Sequence, residues 1–127
     1  PAFLLLPVDH ALVQAATIAS LLAAKREGQG AIVAPSHAGK KGHPVVCDRS
    51  LVAEFLALPP DASARLVTGK DPSRTAAIET DDGEVLRDLD TPADYHAALE
   101  VYSARGGEAG FLAPKGAGRP APKRPPV

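Results

Sequence analysis

Phe3-Leu4-Leu5-Leu6-Pro7-Val8-Asp9-His10 is a nearly continuous apolar run that stops on an acid, and an Ala-rich segment follows it. A run of this kind predicts a strand over residues 3–8, buried on both faces, with Asp9 at its carboxyl end. Working outward, Ala15, Ile18, Leu21 and Leu22 share one helical face. Lys25, Arg26 and Glu27 close the last turn of that helix, and Gly28 stops it. Residues 31–34 form a second apolar run, ended by Pro35. Strand, helix and strand in this order make a βαβ unit, which predicts an α/β fold with a parallel sheet.

The rest of the chain adds shorter pieces. Val45, Val46 and Cys47 read as a third extended segment. Asp48 is placed to cap a helix whose Leu51, Val52, Phe55 and Leu58 share a side, until Pro59 and Pro60 end it. Asp61 is placed to cap one or two further turns through residues 64–66. Residues 76–79 and 85–89 read as short strands around Asp81-Asp82-Gly83, a hairpin turn. The final helix has the clearest signals. Thr91 is the N-cap, Pro92 takes the first helical position and Asp94 stands where a capping-box acid would. Tyr95, Ala98, Leu99 and Tyr102 form its apolar stripe, and Gly106 ends it. Residues 106–127 hold five glycines and five prolines, so the chain divides into a domain over residues 1–105 and a disordered Pro/Gly-rich tail over 106–127.

Charge and cysteine content narrow the function classes. The net charge is −1. The tail carries Lys115, Arg119, Lys123 and Arg124 against Glu108, so the body is acidic and a nucleic-acid partner is not expected. The longest apolar run contains a proline and is far too short to span a bilayer, so no membrane partner is expected either. Cys47 is the only cysteine, which excludes an intrachain disulfide and a cysteine-based zinc cluster. The class is a soluble, cytoplasmic single domain.

In open parallel sheets, ligands bind at the carboxyl ends of the strands. That rule gathers three segments. Asp9 and His10 leave the first strand. Ser36, His37, Lys40, Lys41 and His43 form a basic loop after the second. Asp88 and Asp90 end the last strand on one face. Carboxylates from two strand ends with a basic loop between them suit a magnesium-bound phosphate ester. Each piece also has a plainer role. An Asp at a strand end caps helices and forms turns, the run Asp90-Thr91-Pro92-Ala93-Asp94 is explained by capping, and Lys40-Lys41 suits a solvated turn.

Three of these segments together resemble the MobA-like NTP-transferase family, which includes the molybdenum-cofactor cytidylyl- and guanylyltransferases. Residues 3–10 resemble its central strand and Asp-x-Pro motif. Gly39-Lys40-Lys41-Gly42-His43-Pro44-Val45-Val46 resembles its Gly-His-Pro loop. Asp88-Leu89-Asp90-Thr91-Pro92-Ala93-Asp94-Tyr95 resembles its closing Asp-Ile-Asp-Thr-Pro-Glu-Asp motif. Ala11 stands where the family has the proline of Asp-x-Pro.

The resemblance implies a Rossmann-like three-layer α/β sandwich of the nucleotide-diphospho-sugar transferase type. It also implies a magnesium-dependent transfer of a nucleoside monophosphate from a nucleoside triphosphate to a phosphate-bearing small-molecule acceptor, of molybdopterin type. Asp9 and Asp90 would be the catalytic and metal-binding acids, and Lys41, Gly42, His43 and Asp88 would bind substrate. Nothing before Phe3 supplies the family's glycine-rich nucleotide loop. The resemblance therefore implies the C-terminal half only of the family's domain, inactive alone and self-associating through an uncovered sheet. The alternative is a non-catalytic α/β remnant or partner-binding module.

Overall fold

A computed structural model of the chain describes residues 1–107 and folds the opening run into a short strand, β1 (Ala2–Leu5). The strand predicted over residues 3–8 is thus cut short, and it is neither fully buried nor paired in parallel. β1 lies at the edge of a sheet and pairs antiparallel with β4 (Val45–Asp48), Phe3 opposite Cys47 and Leu5 opposite Val45. Its apolar continuity has another cause: both faces are packed. Phe3 and Leu5 join Ile32, Ala34, Val45, Cys47 and Leu51, while Leu4 joins Leu21, Ala24, Val33 and Val46 on the other side. Pro7 has no N–H with which to extend a ladder, and Val8 beyond it is 96% exposed.

The predicted helix forms as α1 (Ala15–Arg26), and β2 (Ile32–His37) follows. β4 lies between β1 and β2 and is antiparallel to both, so β1 and β2 run parallel without touching. β5 (Thr75–Glu79) pairs in parallel with β2, Ile32 opposite Thr75 through Ser36 opposite Glu79. The result is an α/β fold with a mixed five-strand sheet. Its two core clusters occupy opposite faces, α1 packing on the Val33–Val46 side and Leu51 and Phe55 on the Ile32–Cys47 side.

The predicted basic loop is a β-hairpin. β2 continues to His37, and the chain turns at Ala38 (φ 50°) and Gly39 (φ 79°) into β3 (Lys40–Lys41). Positive φ at both central residues is the signature of a two-residue type I′ turn, whose twist matches the flanking strands. Ser36 faces Lys41, whereas Val33 faces Val46. The returning arm therefore holds two extra residues, which bulge out over Gly42, His43 and Pro44; the His43–Pro44 peptide is cis.

Residues 85–89 do not form a strand, and Asp81-Asp82-Gly83 is no hairpin. The segment is a 3₁₀ turn, Gly83–Leu86, with Asp82 as its cap. The physical reason lies 65 residues away. The Asp82 carboxylate is buried and accepts hydrogen bonds from the Glu84 N–H (3.1 Å), the Gln14 N–H (2.9 Å) and the Thr17 hydroxyl (2.7 Å). It caps both its own turn and α1, whose N-cap residue Gln14 makes no side-chain cap.

On the other face, Asp48 caps a 3₁₀ turn (Arg49–Leu51) as predicted, and this leads into α2 (Val52–Leu56). α3 (Arg65–Thr68) is not capped by Asp61; the Ser63 hydroxyl accepts the Arg65 N–H instead, at 3.2 Å. Arg74 fastens this side together, with two bonds to Glu54 (2.8 and 2.9 Å) and one to the Val67 carbonyl (2.6 Å). α4 (Pro92–Ala104) forms with the predicted capping box between Thr91 and Asp94. Its apolar stripe is only partly covered: Ala98 is buried, while Tyr95, Leu99 and Tyr102 are exposed beside Ala11, Leu12 and Leu89. Among the described residues, no helix is long and apolar enough to cross a membrane. The predicted tail lies outside the described residues from position 108 onward.

Candidate functional site

β1, β2 and β5 run in one direction, so their carboxyl ends meet at one edge of the sheet. Asp9 and His10 follow β1, the β2–β3 hairpin delivers His43 by way of its bulge, and Asp88 follows the 3₁₀ turn after β5. The chain turns after β1 with the His10 N–H donating to the Pro7 carbonyl (3.1 Å). The Leu89 N–H donates to the Asp9 carbonyl (3.0 Å), which ties the two acidic segments together. Farther along, Arg105 donates to the Leu12 carbonyl (3.0 Å). With Asp82 at the start of α1, these bonds hold the Asp9 turn.

His10 is the centre of the arrangement. Its side chain is 7% exposed, with Nδ1 3.1 Å from Asp9 Oδ1 and Nε2 2.9 Å from Asp88 Oδ1. Carboxylates only accept, so both contacts are hydrogen bonds when the ring carries two N–H groups. The ligand atoms of Asp9, His10 and Asp88 lie within 4.8 Å of one another. Against the His10 ring packs that of His43, edge to face, with centroids 4.6 Å apart.

Gly42 explains how His43 reaches that place. Its N–H donates to the Pro35 carbonyl and that of His43 to the Val85 carbonyl, both at 2.9 Å. A Cβ at position 42 would collide with the Val85 carbonyl, so the bulge can lie against the 3₁₀ turn only without a side chain there. Burial, reinforced by the neighbouring His10, pushes the His43 pKa below the ordinary histidine value against the opposing pull of Asp88 and Asp9. Its Nδ1 is buried and has no hydrogen-bond partner among the described residues.

Of the residues singled out in the sequence, the fold brings together Asp9, Asp88 and His43, with Gly42 behind them. Asp90 is not in the donor group. It is exposed, and its N–H is held by the Asp94 carboxylate (3.1 Å) at the start of α4. Lys41 is exposed on β3. The sequence places His10 beside Asp9 at the strand end but assigns it no role of its own. Its only signal was its place directly after Asp9, and a contact to an acid 78 positions away leaves no local pattern.

The model of the MobA-like NTP transferase domain family matches residues 1–78. No curated protein sequence matches the chain. Among solved structures, the chain is similar to a Mycobacterium sp. strain JC1 homologue of Mycobacterium tuberculosis rv0371c. The identity is 23% and the TM-score 0.67, over 81% of this chain and 50% of that one. That likeness supports the fold, and the chain spans half the length of that structure. The family match corrects the extent implied by the motifs: it covers the N-terminal part of this chain, β1 through most of β5, rather than a C-terminal half. It stops before residues 88–95, of which Thr91, Pro92 and Asp94 form the helix cap while Asp88 contacts His10. Matching more than half of its residues, the family model shows that this chain belongs to the MobA-like NTP transferase domain family.

Proposed function

We propose that the chain takes part in magnesium-dependent nucleotidyl transfer. An acceptor phosphate oxygen attacks the α-phosphorus of a nucleoside triphosphate, the bond to the β-phosphate breaks and pyrophosphate leaves. The observation that carries this reading is the pairing of Asp9 with Asp88 across His10, in a chain of this family. Magnesium takes one or two carboxylates and completes its shell with water and phosphate oxygens, so these two acids fit it. When bound, the ion would offset charge on the reacting phosphates. Asp9 and Asp88 are the proposed ligands. Asp90, which the motif suggests as the second acid, would serve at most from outside this group. His43 and Gly42 form the wall past which an acceptor phosphate would approach, and Lys41 adds positive charge at its rim. A molybdopterin-type phosphate is the acceptor that the family suggests. The cytoplasm, which supplies both nucleoside triphosphates and magnesium, is the compartment that fits.

One observation favours a second reading, a non-catalytic binding module. The His10 ring stands 3.1 and 2.9 Å from one oxygen of each acid, the oxygens a metal would take. A thermal-shift titration with magnesium and each nucleoside triphosphate separates the two. Transfer predicts a nucleotide-dependent rise in Tm that is lost in Asp9→Asn and in Asp88→Asn, since a ligand that binds only the native state raises apparent stability. The absence of a shift with every nucleotide would leave the module reading standing.

A further inference from the structure

α4 keeps a free apolar face. Tyr95, Leu99 and Tyr102 stand in line on it and are between 36% and 54% exposed, whereas such a stripe ordinarily faces a core. The stripe overlooks a shallow groove of about 200 Å³, bounded on its other side by Ala11, Leu12 and Leu89. None of the side chains given to the transfer site lines this groove. Tyrosine is enriched at the centres of protein contacts, because it carries a large apolar area and a polar tip.

The pattern of the face matches itself. Tyr95 and Tyr102 are placed symmetrically about the midpoint between Ala98 and Leu99. A two-fold axis through that midpoint sets a second α4 antiparallel to the first and brings Tyr95 level with the partner's Tyr102. Leu99 then lies one residue's rise, about 1.5 Å along the axis, from the partner's Leu99. The charges agree with this arrangement. His96 and Glu100 are four apart and exposed on one flank of the stripe. In the antiparallel pair each flank meets its own equivalent, so His96 comes beside the partner's Glu100, again about one residue's rise away. The body of the chain is acidic, and here each acid is met by a histidine rather than by another acid. On the other flank Asp94 and Arg105 are engaged within their own chain, in the capping box and with the Leu12 carbonyl.

We propose that α4 pairs antiparallel with α4 of a second copy of this chain, in a reversible two-fold dimer. Tyr95, Leu99 and Tyr102 form its centre, and His96 with the partner's Glu100 forms its rim on each side. One helical face is less than the roughly 800 Å² per partner of a stable interface, so the dimer is a weak one, with a Kd of about 100 μM. The contact needs neither magnesium nor a nucleotide and stands or falls apart from the transfer reading.

The test is sedimentation velocity of the full chain over about 5 to about 500 μM, a range that brackets a weak dimer. The expected result is a concentration-dependent rise from monomer to dimer. Leu99→Glu, at an exposed position, should keep the chain monomeric throughout with an unchanged circular dichroism spectrum. Two further variants read the register at the fully solvated rim. Glu100→Lys should weaken the dimer about threefold, the value of two exposed ion pairs, and His96→Glu combined with Glu100→Lys should restore it by exchanging the ends of each pair. A monomer at every concentration would leave the face to residues 108–127 or to a different partner and overturn the proposal. Association that survives Leu99→Glu, as pairing along the open β1 edge would, or a double variant no tighter than Glu100→Lys, would overturn it too.

Discussion

α1 and α4 are helices of almost equal length with opposite sources of order. α4 carries its own instructions: Thr91 and Asp94 exchange hydrogen bonds in a capping box and Pro92 opens the first turn, yet much of its apolar stripe is exposed. α1 has no side-chain cap of its own and buries Thr17, Leu21 and Ala24. Its first turn is completed by Asp82, from the turn that follows β5. Where tertiary contacts do little, local sequence must do the work. Where the fold supplies a partner, the local signal disappears.

The strongest way to break this comparison is Asp82→Ala. It would leave the Gln14 and Glu84 N–H groups and the buried Thr17 hydroxyl without an acceptor, and a buried group so orphaned costs about 1–3 kcal/mol. We expect a loss of about 3 kcal/mol in urea unfolding, with α1 and the 3₁₀ turn at Gly83–Leu86 losing amide protection together. A loss below about 1 kcal/mol, the ordinary value of one exposed cap, would mean that α1 does not depend on its distant partner.

Gly42→Ala comes next. Its methyl group must push the bulge off the Val85 carbonyl, and overpacking of this kind costs about 1–3 kcal/mol. The more telling readout is local. His43 should lose its contact with His10, seen as a shift of both imidazole proton resonances, while the α4 amides stay in place. If the ring resonances do not move, Gly42 does not position His43.

Thr91→Ala tests the other helix and should do less. Loss of the cap costs about 1 kcal/mol, confined to the first turn of α4. Faster amide exchange at Asp94 and Tyr95 with unchanged protection in α1 is the expected pattern; simultaneous loosening of α1 would show that the two helices are coupled after all.

The same contrast explains what was legible in the sequence. The βαβ opening, β5, the Asp48 cap and the whole of α4 followed from local patterns, because period, cap and breaker residues act within a few positions. The order of the strands did not. β4 slips between β1 and β2, and no residue announces that. The basic loop was misread because Ala38, an uncommon residue at positive φ, hid a type I′ turn. Residues 85–89 were misread because Val85, buried without exposure, had the composition of a strand but packs as a 3₁₀ turn under the hairpin. At the site, Asp9, Asp88 and His43 were visible as strand-end chemistry. The central place of His10 and the capping role of Asp82 were not, since they come from partners 65 or more positions away.

The smallest expected effect is a dependence on pH. The His43 pKa lies below its unfolded value, so below about pH 6.5 the unfolded chain binds the proton more readily and stability falls as pH drops. Asp48, Glu54, Asp71 and Asp94 have pKa values lowered by the hydrogen bonds they accept, from Ser50, Arg74, Ser73 and the Asp90 N–H respectively. Their contribution is present above the ordinary carboxylate range, about 4, and is lost as pH falls through their folded values. Tm should therefore be level above about pH 6.5, slope gently below it and fall steeply below about pH 4. His43→Gln should remove the gentle limb and keep the steep one, because the four carboxylates lie on other elements. A gentle limb that survives in His43→Gln would show that His43 is not the group responsible for it.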